Sequence, residues 1–347
     1  MTVRALLLKG HGGPEQLEYR EDVPDPTPAA GEVLIRVGAA ALNNTDIWTR
    51  EGAYGAERDH GAPRGWRSEP LSFPRIQGAD IAGRIEAVGP DVTRDRIGER
   101  VLVDNALYAG EGEGLLDAGI IGSERDGGFA ELVTVPAENA HKIQSDLSDA
   151  ELASFPTAYV TAERMLNRAR VAAGETVLVT GASGGVGTGL VQLAKIRGAT
   201  VIGIVGRGKE ELVSGIGADA VVTRDEDLDS AVENELAGAR LDVVADVVGG
   251  EHVRTLLELL RPGGRYVVAG AIAGPLVTVD LRTIYLRQLE VVGSTMGNRD
   301  EFGALVRHIE SGRLRPLVWG TYPLAELGRA QADFGSKSFF GKLVVIP

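Results

Sequence analysis

The period of hydrophobic and polar positions changes once along this chain. Before Ser148, apolar residues come in short runs broken by turn residues. Val3–Leu8, Glu15–Glu21 and Glu32–Val37 read as strands, the last by its alternation. Residues 78–103 read as strand, glycine turn and strand (GADIAGRIEAVG, then IGERVLV), and Phe129–Val135 is a strand closed by Pro136. VPDPTP at 23–28 cannot be helical, because proline lacks the N–H and clashes with the preceding turn. Ala39–Arg50 passes from small apolar residues to polar ones that can cap a short helix. Residues 51–74 and 104–128 are long polar excursions, a length usual for functional lids or flexible segments. This half predicts a largely antiparallel, barrel-like domain.

After Ser148 the pattern becomes an alternation. Helical spacing occupies 149–155 and 161–169. Strands then follow at 176–180, 200–205, 220–222, 241–249, 265–270 and 289–293, with helical segments after the glycine turn at 181–187 and near 210–216, 229–237 and 251–260. Such alternation predicts a parallel sheet wrapped by helices. A helix at 301–311 and a strand at 343–346 end the chain. The strands at 3–8 and 343–346 are expected in one body. The second domain, 149–296, is then inserted between 1–148 and 297–347.

The most informative stretch is ETVLVTGASGGVGTGLVQLAKIRG, 175–198. A β-branched apolar run suits a strand buried on both faces of a parallel sheet. Gly181-x-x-Gly184-x-x-Gly187 follows, and then Val186, Leu190, Leu193 and Ala194 recur at helical spacing. Strand, glycine turn and helix predict a dinucleotide cradle: glycines let the backbone approach a pyrophosphate, and the helix N-terminus favours the anion. The blander alternative is a glycine-rich turn without a ligand; the flanking strand and helix argue against it. Gly181, Ser183, Gly184, Gly185, Val186 and Gly187 are therefore candidate cofactor residues. Later turns should line the same ligand, with Val248 and Gly249, Gly270 to Ile272, and Met296 to Asn298 as candidates, since ligands sit outside the carboxyl ends of parallel strands. Gly249 and Gly270 serve either the ligand or only the turn.

The end of the second parallel strand selects between cofactors. NAD enzymes tend to carry a carboxylate there for the ribose 2′-hydroxyl. Here Val205 and Gly206 stand in that place, followed by Arg207 and Lys209. Those cations suit a 2′-phosphate and predict NADPH; the alternative is that both are solvated loop charges.

Composition removes several classes. No cysteine is present, which excludes disulfides, thiolate nucleophiles and cysteine-ligated zinc. A net charge of −13 argues against nucleic-acid and anionic-membrane partners. Neither a signal peptide nor a long apolar run is read in the chain, so a cytoplasmic enzyme is expected.

Motif order and spacing carry a family resemblance over nearly the full length. The landmarks are PEQLE (14–18), Asn43-x-x-Asp46, PRIQGADIAGRIEAVG (74–89), GERVLV (98–103), GGFAEL (127–132), SFPTAYVTA (154–162), GASGGVG (181–187), GAD (217–219) and GKLVVIP (341–347). The chain resembles the medium-chain dehydrogenase/reductases, in particular their zinc-free quinone-oxidoreductase branch. The resemblance implies an α/β fold: a GroES-like barrel-type catalytic domain with an inserted Rossmann domain. It adds Thr161 to the cofactor residues. Zinc-binding members carry Cys at the position matching Asn43, His at that matching Ala79 and Cys near Thr157, so it implies no metal here. The five histidines, at 11, 60, 141, 252 and 308, form no H-x-x-x-H pair.

The implied reaction is hydride transfer from NADPH to a small electrophile, a quinone or an activated enone. Asn43 matches the family's active-site Asn and can donate through its amide. Tyr54 matches a Tyr over the substrate, donating to an oxyanion or only packing. Asp46 and Arg50 are expected to pair and brace the loop. Residues 55–73 form either part of the substrate rim, with Trp48 and Trp66 as walls and Arg64 and Arg67 as anion contacts, or a remote excursion. An anion there would favour an enoyl-thioester substrate. A redox-inert NADPH-binding sensor or interaction protein is the alternative of another class. The resemblance implies a homodimer paired through Leu289–Gly293, an apolar strand edge that invites such pairing.

Overall fold

The computed structural model describes residues 1–54, 70–108, 115 and 118–347. Arg64, Trp66 and Arg67 lie outside the described residues. In chain order the elements are β1 (Thr2–Leu8), β2 (Leu17–Pro24), β3 (Glu32–Ala41), α1 (Asn44–Glu51), β4 (Arg75–Ile76), β5 (Asp80–Val88), β6 (Arg100–Val103), β7 (Ala106–Leu107), β8 (Gly119–Ile120), β9 (Leu132–Pro136), β10 (Ala140–Lys142) and α2 (Asp149–Ala153). Then come α3 (Pro156–Arg168), β11 (Thr176–Val179), α4 (Gly185–Ile196), β12 (Thr200–Val205), α5 (Glu210–Ser214), β13 (Ala220–Thr223), α6 (Leu228–Leu236), β14 (Leu241–Asp246), α7 (Val253–Leu259), β15 (Leu260–Val268), α8 (Leu281–Leu286) and β16 (Glu290–Gly293). The chain closes with α9 (Arg299–Glu310), β17 (Val318–Pro323), α10 (Leu327–Ser336) and β18 (Lys342–Ile346). It divides into two compact units, Met1–Thr157 with Asn298–Ser311 and Pro316–Pro347, and Ala158–Gly297 with Gly312–Arg315.

The first unit is the GroES-like domain. Its main sheet runs β10-β6-β5-β3-β18-β17, with β9 also paired to β3. The pairs are antiparallel except β17 with β18. β1, β2 and β4 form a second sheet, so the strands from both chain ends share this unit. Alternating positions of β3, Val33, Ile35 and Val37, face a core with Ile81, Ile85, Phe129, Val133 and Leu343.

Alternation stops at Val37, yet β3 continues to Ala41. Ala39, Ala40 and Ala41 pair with β5, and Ala40 and Ala41 also pair with β18, so the small residues are buried between two neighbours. Gly38 explains why Asp149–Thr157 stays with this unit. A Cβ on Gly38 would lie 2.0 Å from Asp149 Oδ2, so α2 packs directly on the bare backbone of β3. Asp149 Oδ1 also accepts from Arg100 Nε at 2.7 Å. β2 differs from its expected range, because a 3-10 turn takes Pro14–Gln16 and the strand runs on to Pro24.

The second unit is a Rossmann sheet of six strands, β13-β12-β11-β14-β15-β16, all parallel. β11 is buried at each position, as its unbroken apolar run requires. The chain leaves β11 toward β12 on one side and later returns to β14 on the other. The crevice at this reversal is where doubly wound sheets bind ligands.

Seven described elements go beyond the sequence pattern: β4, β7, β8, β10, α8, β17 and α10. The spacing Leu327, Ala330, Gln331, Phe334 is the buried stripe of α10, diluted by two glycines and polar neighbours. Among the described residues no helix is long and apolar enough to cross a membrane.

Candidate active-site residues and cofactor cradle

The glycine turn joins β11 to α4 in the second unit, and its three motif glycines have separate tasks. Gly181 adopts φ +57, the left-handed region where a side chain is strained. Gly184 caps α4 in extended conformation, and a Cβ there would meet only Gly181 O at 3.5 Å, leaving space for a ligand. A Cβ on Gly187 would fall 2.1 Å from Gly181 O, so this glycine lets the helix close onto the turn. Gly185, Val186 and Gly187 form the first turn of α4, where backbone N–H groups lack intrahelical acceptors. Ser183 is buried beside them. This arrangement can cradle a pyrophosphate.

One buried carboxylate ties the cradle to the turn after β14. Asp246 accepts from Thr180 Oγ1 at 2.5 Å, from the backbone N–H of Val248 at 2.8 Å and from the Tyr266 hydroxyl. It also accepts from Gly249 N at 3.1 Å. Gly249 has φ +65, and a Cβ on Gly270 would sit 2.8 Å from Val247 O. Both glycines are thus required by the close packing of these turns. Ile272 is half exposed, whereas Met296 and Thr161 are buried within the same unit.

The ends of β12 and β13 bring three cations together. Arg207 and Arg224 are exposed, and each lies near Asp225, at 3.8 and 3.9 Å. The Arg224 guanidinium faces the open side of Gly206, 3.7 Å from where a Cβ would stand. Partial burial, and then the nearby Arg224 charge, hold the Lys209 ammonium below its ordinary value. Sequence reading named Arg207 and Lys209 but missed Arg224, which only the β12–β13 pairing brings alongside.

In the first unit the ends of three adjacent strands converge. Ala41, at the end of β3, pairs with Asp80 of β5 on one side and Val344 of β18 on the other. Two residues later Asn43 caps α1. Lys342, which starts β18, donates from Nζ to Asn43 Oδ1 at 2.6 Å and to Asp80 Oδ2 at 2.9 Å. The other oxygen of Asp80 accepts from Thr157 N at 2.7 Å and Thr157 Oγ1 at 2.5 Å. Asn105 Nδ2 in turn donates to Thr157 Oγ1 at 2.5 Å. Asn43 is 8% exposed, against 3% for Lys342 and 0% for Asp80. The Asn43 and Thr157 positions singled out from the sequence therefore meet in one network, whose centre is an unpredicted lysine–aspartate pair.

The remaining expectations divide. Tyr54 donates to Thr45 Oγ1 at 2.7 Å, and burial pushes its phenol up to about 12. Its ring packs edge-on to Trp48, with centroids 5.6 Å apart. Asp46 and Arg50 do not pair. Asp46 Oδ2 accepts the Asn43 N–H at 2.7 Å, while Arg50 donates to Gly12 O at 2.7 Å and to Glu51 at 3.0 Å. On a short helix the two side chains are drawn to different partners. Burial, reinforced by the nearby Asp80 charge, pushes Asp46 up to about 7. Among the described residues no group of three or more His, Cys, Asp or Glu could hold a metal ion.

Residues 29–145 match the alcohol dehydrogenase GroES-like domain, and residues 185–311 match the zinc-binding dehydrogenase family. The quinone oxidoreductase of Lama guanicoe is 30% identical over 354 residues, covering 99% of this chain and 97% of that protein. The acryloyl-coenzyme A reductase of Metallosphaera sedula is 32% identical over 355 residues, covering 99% of each. A solved structure of a putative alcohol dehydrogenase from Sinorhizobium meliloti is 58% identical with a TM-score of 0.98, covering 100% of this chain and 97% of that one.

Proposed function

The chain is an oxidoreductase that belongs to the medium-chain dehydrogenase/reductase family, and we propose that it is an NADPH-dependent, metal-independent reductase acting on a quinone or an activated enone. The observation that carries this reading is the Lys342 network. Zinc needs thiolate, imidazole or carboxylate lone pairs. At the three positions where the family's zinc ligands fall, Asn43 has its oxygen engaged by an ammonium, Ala79 has no donor, and Thr157 donates its hydroxyl to Asp80. These residues do not fit zinc. Without a Lewis acid, reducing an already activated double bond needs less help than oxidising an alcohol.

NADPH, when bound, supplies the hydride. The chain's own part is to bind and orient. The glycine turn takes the pyrophosphate, and Arg207, Lys209 and Arg224 favour the 2′-phosphate, with no carboxylate at the end of β12. Asn43 polarises the substrate carbonyl through its amide N–H, a donor to the oxygen on which charge develops. Tyr54, committed to Thr45, shapes the neighbouring wall. A homodimer paired through β16 accompanies this reading.

The likeness over full length to an acryloyl-coenzyme A reductase favours enoyl thioesters as the second substrate class. The test is oxidation of NADPH and NADH with 9,10-phenanthrenequinone, simple enones and crotonyl-CoA, with and without a zinc chelator. Chelator-insensitive quinone or enone turnover with NADPH is expected. Turnover confined to crotonyl-CoA supports the second class, and loss of activity with chelator overturns metal independence. Tight NADPH binding without turnover points instead to a redox-inert sensor.

A further inference from the structure

We propose that Lys342 is a positioning residue: its buried ammonium locks the Asn43 amide as a hydrogen-bond donor and so selects a substrate that presents an acceptor oxygen, a carbonyl, over one that presents a hydroxyl. The inference rests on the reading that Asn43 meets the substrate.

A carboxamide offers an acceptor on one side and two donors on the other, and a half-turn exchanges them. Nothing in an isolated Asn decides which side faces a ligand. Here the neighbour decides. An ammonium has only donors, so the amide atom 2.6 Å from Lys342 Nζ must be the oxygen. The flipped amide would set N–H against N–H in a buried site, leaving a charged donor without its acceptor.

The NH2 group is left as the part of Asn43 that can act on a ligand. Its contact among the described residues is Ala41 O at 3.5 Å, the outer limit of a hydrogen bond. Asn43 is also the most exposed member of the trio with Lys342 and Asp80. Lys342 is itself held in place, because Asp80 Oδ2 takes a second ammonium hydrogen and Asp80 Oδ1 is fixed by Thr157. Charge-assisted bonds between buried partners on adjacent strand ends form a stiff support. It keeps a donor, and only a donor, presented at Asn43. A carbonyl oxygen that gains negative charge on reduction matches it. A hydroxyl that donates its O–H finds no acceptor at this position.

The test compares the wild type with Lys342→Arg, Lys342→Met and the double variant Lys342→Met/Asp80→Asn. The double variant removes both buried charges together, so it isolates orientation from charge balance. Melting curves establish folding, fluorescence titration gives the NADPH Kd, and quinone and enone kinetics give kcat and KM. In a folded double variant kcat should fall about tenfold or more, with the NADPH Kd within about twofold because that site lies in the other unit. Lys342→Arg, which keeps donors toward Asn43, should recover part of the rate. If the double variant regains wild-type kcat, Lys342 only balances Asp80 and the proposal is overturned. A second readout does not depend on turnover: the Asn43 side-chain NH2 in 15N-Asn-labelled protein should show a distinct, exchange-protected pair of signals that moves to solvent-exposed Asn positions and loses protection in the double variant. Unchanged signals overturn the positioning role. Absence of wild-type turnover on quinones, enones and enoyl thioesters overturns the proposed reaction, while these signals still decide the lock.

Discussion

Thr180 Oγ1 donates to Asp246 Oδ1 across 2.5 Å, so the residue before the glycine turn is bonded to the last residue of β14. The same hydroxyl accepts from Val247 N at 3.0 Å. One threonine therefore joins both walls of the crevice where the strand order reverses. Thr180→Val keeps the shape but strands the buried Val247 N–H and one Asp246 lone pair. A loss of about 1–3 kcal/mol in urea unfolding is expected, with a several-fold weaker NADPH Kd. Wild-type values in both measurements would remove the clamp from the account.

Gly187→Ala should be worse for binding than its single methyl suggests. Its Cβ would fall 2.1 Å from Gly181 O, a backbone atom that cannot swing away. Opening the turn should destabilise the fold by about 1–3 kcal/mol and abolish measurable NADPH binding. Isothermal titration reads the binding and thermal melting reads the fold.

Cofactor preference should rest on exposed cations and therefore on ionic strength. Arg207→Ala and Arg224→Ala are each expected to lower the ratio of kcat/KM for NADPH over NADH by roughly five- to tenfold at low salt, with smaller effects at high salt. Asp225→Asn, which removes the carboxylate near both arginines, should move the ratio the other way. A ratio insensitive to all three would place the selectivity elsewhere.

His141 makes the first unit acid-sensitive. Burial, then the charges of Arg299 and Arg96, lower its imidazole from 6.5 to about 4. The unfolded chain thus binds the proton first. The stabilisation it lends is fully present above the unfolded value and is lost as pH falls from about 6.5 to about 4, up to about 3 kcal/mol in all. The ring packs against Phe302 at 4.8 Å, and its Nε2 is buried without a partner among the described residues, so His141→Leu is a tolerable apolar replacement. That variant should flatten the acid limb of stability against pH, measured by urea unfolding across the range. An unchanged slope would assign the acid sensitivity to other groups.

The free edge of the parallel sheet predicts the assembly. Among the described residues β16 pairs only with β15, and Val291 on it is 52% exposed. Leu281, Tyr285 and Leu286 of α8 are also exposed. An apolar strand edge beside an apolar helix face suits a second copy of the same edge. Light scattering should find a dimer for the wild type and a monomer for Val291→Lys. A wild-type monomer at micromolar concentration would overturn the pairing.

The sequence was most legible where one local rule sufficed. The run at 176–180, the spacing of Gly181, Gly184 and Gly187 and the helix after them each follow from backbone sterics within a few residues, and the structure has them there. β3 was legible only to Val37, because beyond it burial comes from β5 and β18 rather than from alternation. The Asp46–Arg50 pair failed for a related reason. Proximity in sequence offered a partner, but Asn43 N–H and Gly12 O were better placed.

The sequence by itself determined the two textures of the chain, the glycine turn, the cations after β12 and the presence of Asn, Ala and Thr at positions 43, 79 and 157. Each is a property of residue identity or short-range spacing. Only the tertiary structure decided what those residues do together. Lys342 is 299 positions from Asn43 and 262 from Asp80, and no periodicity links them. They meet because β3 lies between β5 and β18, and a buried ammonium must find acceptors where those strands end.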